Sequence, residues 1–273
     1  MSIIYSGQPI VNTLIDGSSN SSLLTGLQNV LVSAGWTVVQ NGSSNGIWRL
    51  RTGTTPQGLQ GDLWMRLATG AGTTLILDAS STVAVNYNTQ YQTSADAGIA
   101  TGSGYTYRVI ASSFYFYLLR EAVPCPSNQS YFFSVPYVPA FLSGLVNSLV
   151  VAAFGADPYE ITKGMFSIGN PSNFCYLNGL GGTGSKWNFL GIASSQKPVW
   201  FDSSCEFYEP RVMGYGTNVT NGGNAGVLMA LGYQWDALVI NYPLARGTII
   251  PYDGGSWYVL SESVDPGLMV KVA

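Results

Sequence analysis

The sequence predicts a β-rich α+β protein: antiparallel sheet packed by one or two helices, then a β-rich, loop-dense second half. Three observations carry this. One early segment has helical apolar spacing. Most of the remaining chain is short apolar runs parted by Gly, Asn and Ser clusters, the pattern of strands and turns. No fixed-period repeat appears, which argues against solenoids and propellers. With 273 residues, 46% of them hydrophobic, the chain can bury one large core or two modest ones.

The elements follow in order. Residues 1–16 are apolar and extended, and "DGSSNSS" then offers N-cap residues, with Ser21 or Ser22 preferred. Leu23, Leu24, Leu27, Val30, Leu31 and Ala34 fall on one helical face, and Gly35 is a natural terminator, so a helix is expected over 22–34. "WTVVQ" (36–40) and "IWRLR" (47–51) read as strands around the turn "NGSSNG". "GDLWMRLATG" and "TTLILDA" read as a hairpin, "TVAVNY" (82–87) as a further strand, and 105–119 as one long strand. A second helix is expected in "AFLSGLVNSLVVAAFG" (140–155), with Leu142, Leu145, Val146, Leu149 and Val150 on one face. Beyond it come short strands, among them "FCYLNG", "KWNFLGI", "RVMGYG", "RGTIIPYDGG" and "SWYVLSE". The run 226–244 reads as two strands, because of Gly232 and its Val, Ile and Tyr content. Residues 1–139 are thus expected to form an α+β unit. Residues 140–273 form the β-rich half, in the same domain or as a sandwich-like one.

Composition narrows function. Charged residues make up 9%, against roughly 25% in an ordinary soluble domain. A polar but uncharged surface suits permanent packing against neighbours. The 11 basic residues are dispersed, with Arg49 and Arg51 the closest approach to a cluster, so nucleic-acid binding is not expected. Histidine is absent, which excludes Ser-His-Asp and Cys-His catalysis and His-ligated zinc. Cys125, Cys175 and Cys205 are far apart with no CxxC spacing; three buried thiols are the expectation, a single disulfide the alternative. The start lacks the basic and apolar regions of a signal peptide, and no run of about 18 apolar residues occurs. Synthesis in a cytoplasm without secretion is expected, and no membrane partner. The four N-x-S/T sequons are then chance.

Three features invite chemistry. "WFDSSCEFYEP" places Asp202, Glu206 and Glu209 close together beside Trp200, Phe207 and Tyr208. Paired carboxylates serve glycoside hydrolysis and clustered oxygens bind calcium, although a solvated loop accounts for the same residues. "GLGGTGSKW" lacks the Lys register and Ser/Thr of a phosphate loop and reads as surface. Tyr5, Tyr87, Tyr91, Tyr105, Tyr107, Trp36, Trp48 and Trp64 could line a carbohydrate surface, or serve packing.

The aromatic run Phe114–Tyr117 poses the sharpest structural question. Read as one strand, 108–119 has a Phe face (Ile110, Ser112, Phe114, Phe116, Leu118) and a Tyr face (Val109, Ala111, Ser113, Tyr115, Tyr117, Leu119). The Phe face is expected on the core under the first helix. The Tyr face is covered either by this chain, through 130–135 or the second helix, or by another copy. Tyr105, Tyr107, Tyr115 and Tyr117 are therefore the interface candidates.

The first half resembles structural proteins of tailed-bacteriophage virions. The resemblance is carried by "LLTGLQNVLVSAGWTVV", "GDLWMRL" and "RVIASSFYFYLL" followed by "YFFSVPYVP", and covers residues 20–140. It implies a tail, neck or baseplate component that assembles as a ring or hub with itself and other virion proteins. It carries over no catalytic residue and no cofactor. The expected role is accordingly a non-enzymatic, homo-oligomeric virion subunit. The alternatives are a module binding host-surface glycan and a polysaccharide-degrading enzyme using Asp202, Glu206 or Glu209.

Overall fold

A computed structural model describes residues 3–42, 46–68, 74–81, 98–122, 130–140, 148–156, 173–178, 186–189, 207–208, 211–215, 228–240, 244–260 and 267–273. Within these the chain has a single helix and three antiparallel sheets.

The helix α1 spans Asn20–Ser33 and buries Leu23, Leu24, Leu27, Val30 and Leu31, as the apolar spacing requires. Its cap is Ser19, earlier than the expected Ser21 or Ser22; the Ser19 hydroxyl accepts the Ser22 amide at 3.1 Å. The other end closes as a Schellman motif. Gly35 takes φ 96°, the Trp36 amide donates to Leu31 and the Gly35 amide to Val32.

The largest sheet combines β1 (Val11–Asp16), β6 (Thr106–Ala111), β7 (Tyr115–Arg120), β8 (Ser130–Ser134), β9 (Ser148–Ala156), β10 (Asn173–Asn178), β11 (Lys186–Phe189), β13 (Arg211–Tyr215) and β14 (Leu228–Tyr233), in that order. A four-stranded meander follows β2 (Thr37–Asn41), β3 (Ile47–Arg51), β4 (Gly61–Ala68) and β5 (Thr74–Ser81). The third sheet runs β12 (Phe207–Tyr208), β15 (Ala237–Ile240), β18 (Gly267–Lys271), β17 (Gly255–Val259) and β16 (Ile249–Tyr252). The largest sheet takes strands from both sides of residue 140, so the two halves of the chain share one sheet.

Two expectations are corrected. The stretch 105–119 is not one strand but the hairpin β6–β7, which reverses at Ser113–Phe114; the Ser112 amide donates to the Tyr115 carbonyl at 3.0 Å. The turn flips the pleat parity. Ile110 now pairs with Tyr117 and Val109 with Leu118, so Ile110 belongs to the Tyr face and Val109 to the Phe face. The second helix is also absent where 140–155 is described: residues 148–156 form β9, hydrogen-bonded between β8 and β10. Val150 and Val151 are fully buried there, and β-branched residues held between two strands suit a sheet better than a helix. The expected strand 82–87 lies outside the described residues.

Where side chains are described, from β1 to β9, both faces of the large sheet are covered. On one, Ile15, Tyr107, Val109, Phe116, Leu118 and Phe133 meet α1 and the four-stranded sheet. Trp36 packs its ring 6.0 Å from Phe116 and 5.2 Å from Phe133. Gly61 of β4 lies so close that a Cβ there would sit 2.9 Å from Phe133, Val135 and Val150. On the other face, Tyr115, Tyr117 and Phe132 belong to one buried cluster with Ala237, Tyr258, Leu268 and Val270 of the third sheet; Arg108 lies 5.0 Å over the Tyr258 ring, and Phe114 packs on Trp235 just before β15. The third sheet carries a smaller cluster, Leu238, Trp257, Val259 and Met269, against which Ile3 packs.

Candidate functional site

Of the interface candidates, Tyr107, Tyr115 and Tyr117 are at most 2% exposed. The cover over the Tyr face is therefore this chain's own, and these three side chains are core, which corrects the interface assignment for them. Tyr115 and Tyr117 are enclosed with Phe132 of β8 and Asp236 just before β15, whereas Tyr107 lies on the opposite face of the sheet. Tyr117 stacks on Phe132 at 4.7 Å, and Tyr115 meets Tyr117 edge-on at 5.8 Å. The Tyr107 hydroxyl donates to the Ala100 carbonyl at 2.6 Å. Tyr105 is half-buried, with the Arg120 guanidinium 3.5 Å over its ring.

The hydroxyl of Tyr115 leads to a residue the sequence reading passed over. Asp236 is 2% exposed, in the turn between β14 and β15, at φ 50°. Aspartate is among the few residues that tolerate this left-handed region. Its Oδ2 accepts from Tyr115 Oη at 3.2 Å and its Oδ1 from the Ser6 amide at 3.1 Å. Its own amide donates to the Ile4 carbonyl and its carbonyl accepts from the Lys271 amide, both at 2.8 Å. One residue thus ties the N-terminal segment, β7 and β18 together. The available signal was a lone acid inside the apolar run 226–244.

Burial pushes the Asp236 carboxyl above its ordinary value, opposed by the Ser6 and Tyr115 hydrogen bonds and the Lys271 charge. Burial, then the Asp236 charge, also raises the Tyr115 and Tyr117 phenols far above neutral pH, so both stay protonated. The enclosed carboxyl thus joins Ser6 of the N-terminal segment to Tyr115 of β7 through its two oxygens.

A second polar cluster lies on the face of the four-stranded sheet turned from the core. Asp62, fully buried, takes Arg49 Nε at 2.7 Å on Oδ2 and Arg51 Nε at 2.8 Å on Oδ1. Arg49 also lies 4.5 Å over the Trp64 ring, whose Nε1 donates to Ser80 Oγ at 2.8 Å. The basic pair noted in the sequence thus holds an internal carboxylate. Trp36 is buried too, donating to the Ser112 carbonyl, whereas Trp48 is half-buried and Tyr5 exposed. The Tyr5 hydroxyl donates to Asp253 Oδ2 at 2.5 Å.

Asp202, Glu206, Glu209, Tyr87 and Tyr91 lie outside the described residues, as do Cys125 and Cys205. Among the described residues no group of three or more acidic or Cys side chains is placed to hold a metal. No helix there is long and apolar enough to cross a membrane. A shallow depression of about 530 Å3 marks the tip of the β16–β17 hairpin, lined by residues 251–256 and Ala273. Compared with family models and with curated proteins, the sequence matches none.

Proposed function

We propose that this chain is a non-enzymatic structural subunit of a tailed-phage virion, in the tail, neck or baseplate, that assembles with copies of itself and with other virion proteins. One observation carries the assembly part of the reading: each of the three sheets ends in an edge strand with an exposed aliphatic side chain. These are Leu14 on β1, Val38 and Val39 on β2, and Ile249 on β16. Soluble monomers protect such edges with charge, proline or bulges, since unpaired backbone recruits further strands. Here β2 and β16 carry no charged residue at all. A register shift after Val38 turns two successive valines outward, and Pro251 restricts pairing on β16. Edges that are apolar but irregular suit a specific partner better than open-ended stacking. The virion assignment rests on the resemblance of residues 20–140 and on the low charge.

Light scattering of the purified chain tests the assembly claim: a discrete multimer is expected, and a monomer at high concentration would count decisively against it. Mass spectrometry of purified particles tests the virion claim separately.

A second reading, a glycan-binding module, draws on the depression at residues 251–256, where Tyr252 and Pro251 offer apolar surface beside Asp253 and Ser256. Tyr252→Ala should abolish retention on host-envelope glycan if that reading holds, and leave multimerisation intact.

A further inference from the structure

Resting on the assembly reading above, we infer that β1 is the edge by which two copies of this chain join. Its backbone pairs antiparallel with β1 of the second copy, and the largest sheet runs on through a two-fold axis at Leu14. The phase of the β1–β6 ladder decides which backbone groups are free for this. The Gly17 amide donates to the Tyr105 carbonyl at 2.8 Å, in the register that pairs Ile15 with Tyr107, Thr13 with Val109 and Val11 with Ala111. Antiparallel bonding alternates along a strand, so Val11, Thr13 and Ile15 turn their amides and carbonyls toward β6. Those of Asn12, Leu14 and Asp16 point outward, and β1 is the terminal strand of the sheet. The side chains of these three are exposed and share one face.

The other edges are less open. At the far end of the same sheet β14 is met by Tyr137, which exchanges backbone bonds with Tyr233 at 3.0 and 2.9 Å. On β16 the Val259 amide donates to the Thr248 carbonyl, which leaves Ile249 and Pro251 facing outward, and proline has no amide to give. The bulge after Val38 interrupts β2. By contrast, β1 pairs with β6 without a bulge or proline over Val11–Asp16.

A second copy suits this edge chemically. The antiparallel register centred on Leu14 sets every outward residue opposite an outward one: Leu14 meets Leu14, and Asn12 meets Asp16 in both directions. The half-exposed leucines then cover each other. Asp16, the one charged residue of the strand, faces an amide and not its own carboxylate in the other copy. Arg108 Nη1 donates to Asn12 Oδ1 at 3.0 Å, which leaves Asn12 Nδ2 as the donor to that carboxylate. The Asp16 oxygens already accept the Ser18 amide and hydroxyl, and each keeps a further lone pair.

Leu14→Cys in the full chain tests this, with Val39→Cys on the β2 edge as control. Residues opposite each other in a hydrogen-bonded pair have Cα atoms about 5.5 Å apart, within the span of a disulfide. Under mild oxidation Leu14→Cys should convert to a reducible covalent dimer, whereas Val39→Cys and the wild type, with its three native cysteines, should not. Leu14→Pro removes one outward amide and spares the Thr13 and Ile15 bonds to β6, so the multimer should be lost by light scattering in a chain that still folds. Cross-linking of Leu14→Cys no greater than that of Val39→Cys, or a multimer that survives Leu14→Pro, overturns β1 pairing and leaves the assembly reading standing. A monomeric wild type overturns both.

Discussion

The Tyr115 hydroxyl donates to Oδ2 of Asp236 at 3.2 Å, joining residues 121 apart in the chain. It makes the Tyr face of β7 an internal seam. Tyr115→Phe keeps the ring and loses the bond, leaving Asp236 with one buried acceptor unmet. A loss of about 1–3 kcal/mol is expected by urea denaturation, with multimerisation unchanged. Tyr115→Ala empties the site as well and should cost about 3–5 kcal/mol. Loss of assembly with undiminished stability would instead place Tyr115 at a contact between copies.

Asp236 also sets a sign for pH dependence. Its folded pKa is raised, so its contribution to stability is full below the ordinary aspartate value and lost as pH climbs through the folded one. Asp236→Asn lacks this loss. The wild-type urea midpoint minus that of the variant should therefore fall as pH rises from about 3.8, levelling once Asp236 is ionised in the fold. A difference that rises over that interval would mean the hydrogen bonds and Lys271 outweigh burial.

The Asp62 cluster behaves differently, because its carboxylate already has two guanidinium partners. Asp62→Ala removes the acid and strands Arg49, whose side chain is 10% exposed. Breaking a buried pair in this way costs about 3–5 kcal/mol. Replacing Arg51 alone should cost less, since its side chain is 29% exposed and Arg49 still holds the acid. Denaturation of both single variants and the double gives the coupling directly.

How much of this was legible varies by element, for physical reasons. The α1 apolar face shows in the spacing of Leu23, Leu24, Leu27, Val30 and Leu31 because local periodicity and tertiary burial agree. The β6–β7 reversal does not show, since Ser113–Phe114 contains neither Gly nor Pro. Distant bonds hold that turn: the Gly53 amide donates to the Ser113 carbonyl and Trp36 Nε1 to the Ser112 carbonyl. The run 140–155 carries helical spacing, yet β8 and β10 on either side hold residues 148–156 as a strand. Asp236 was visible as an acid in an apolar run, but its donors come from residues 6 and 115, which no local pattern links to it.

Close approach across layers gives a further test. Gly232 of β14 has the Tyr137 carbonyl oxygen 2.5 Å from where a Cβ would stand, and Tyr137 and Tyr233 exchange backbone hydrogen bonds beside it. A backbone oxygen cannot rotate aside as a side chain can. Gly232→Ala should thus break that bridge, with a cost of at least the 1–3 kcal/mol typical of overpacking. Gly254→Ala, with open space but φ 72°, should cost less, only the strain of the left-handed backbone. Equal thermal midpoints for the two variants would contradict the close contact.

The edge strands supply the prediction that bears most directly on assembly. Val38 and Val39 sit outward on β2, where a charge meets solvent in the free chain but would be enclosed if another strand packed there. Val38→Lys with Val39→Lys should leave the unfolding free energy from urea denaturation within about 0.5 kcal/mol of wild type, as for surface changes away from core contacts. The same pair should dissociate the multimer by light scattering, because burying two ammonium groups at an interface is costly without partners. Leu14→Lys and Ile249→Lys ask the same of the other two edges. The edge whose substitution yields monomers is the one used between copies, and retention of the multimer in all three variants would remove edge pairing as the basis of assembly.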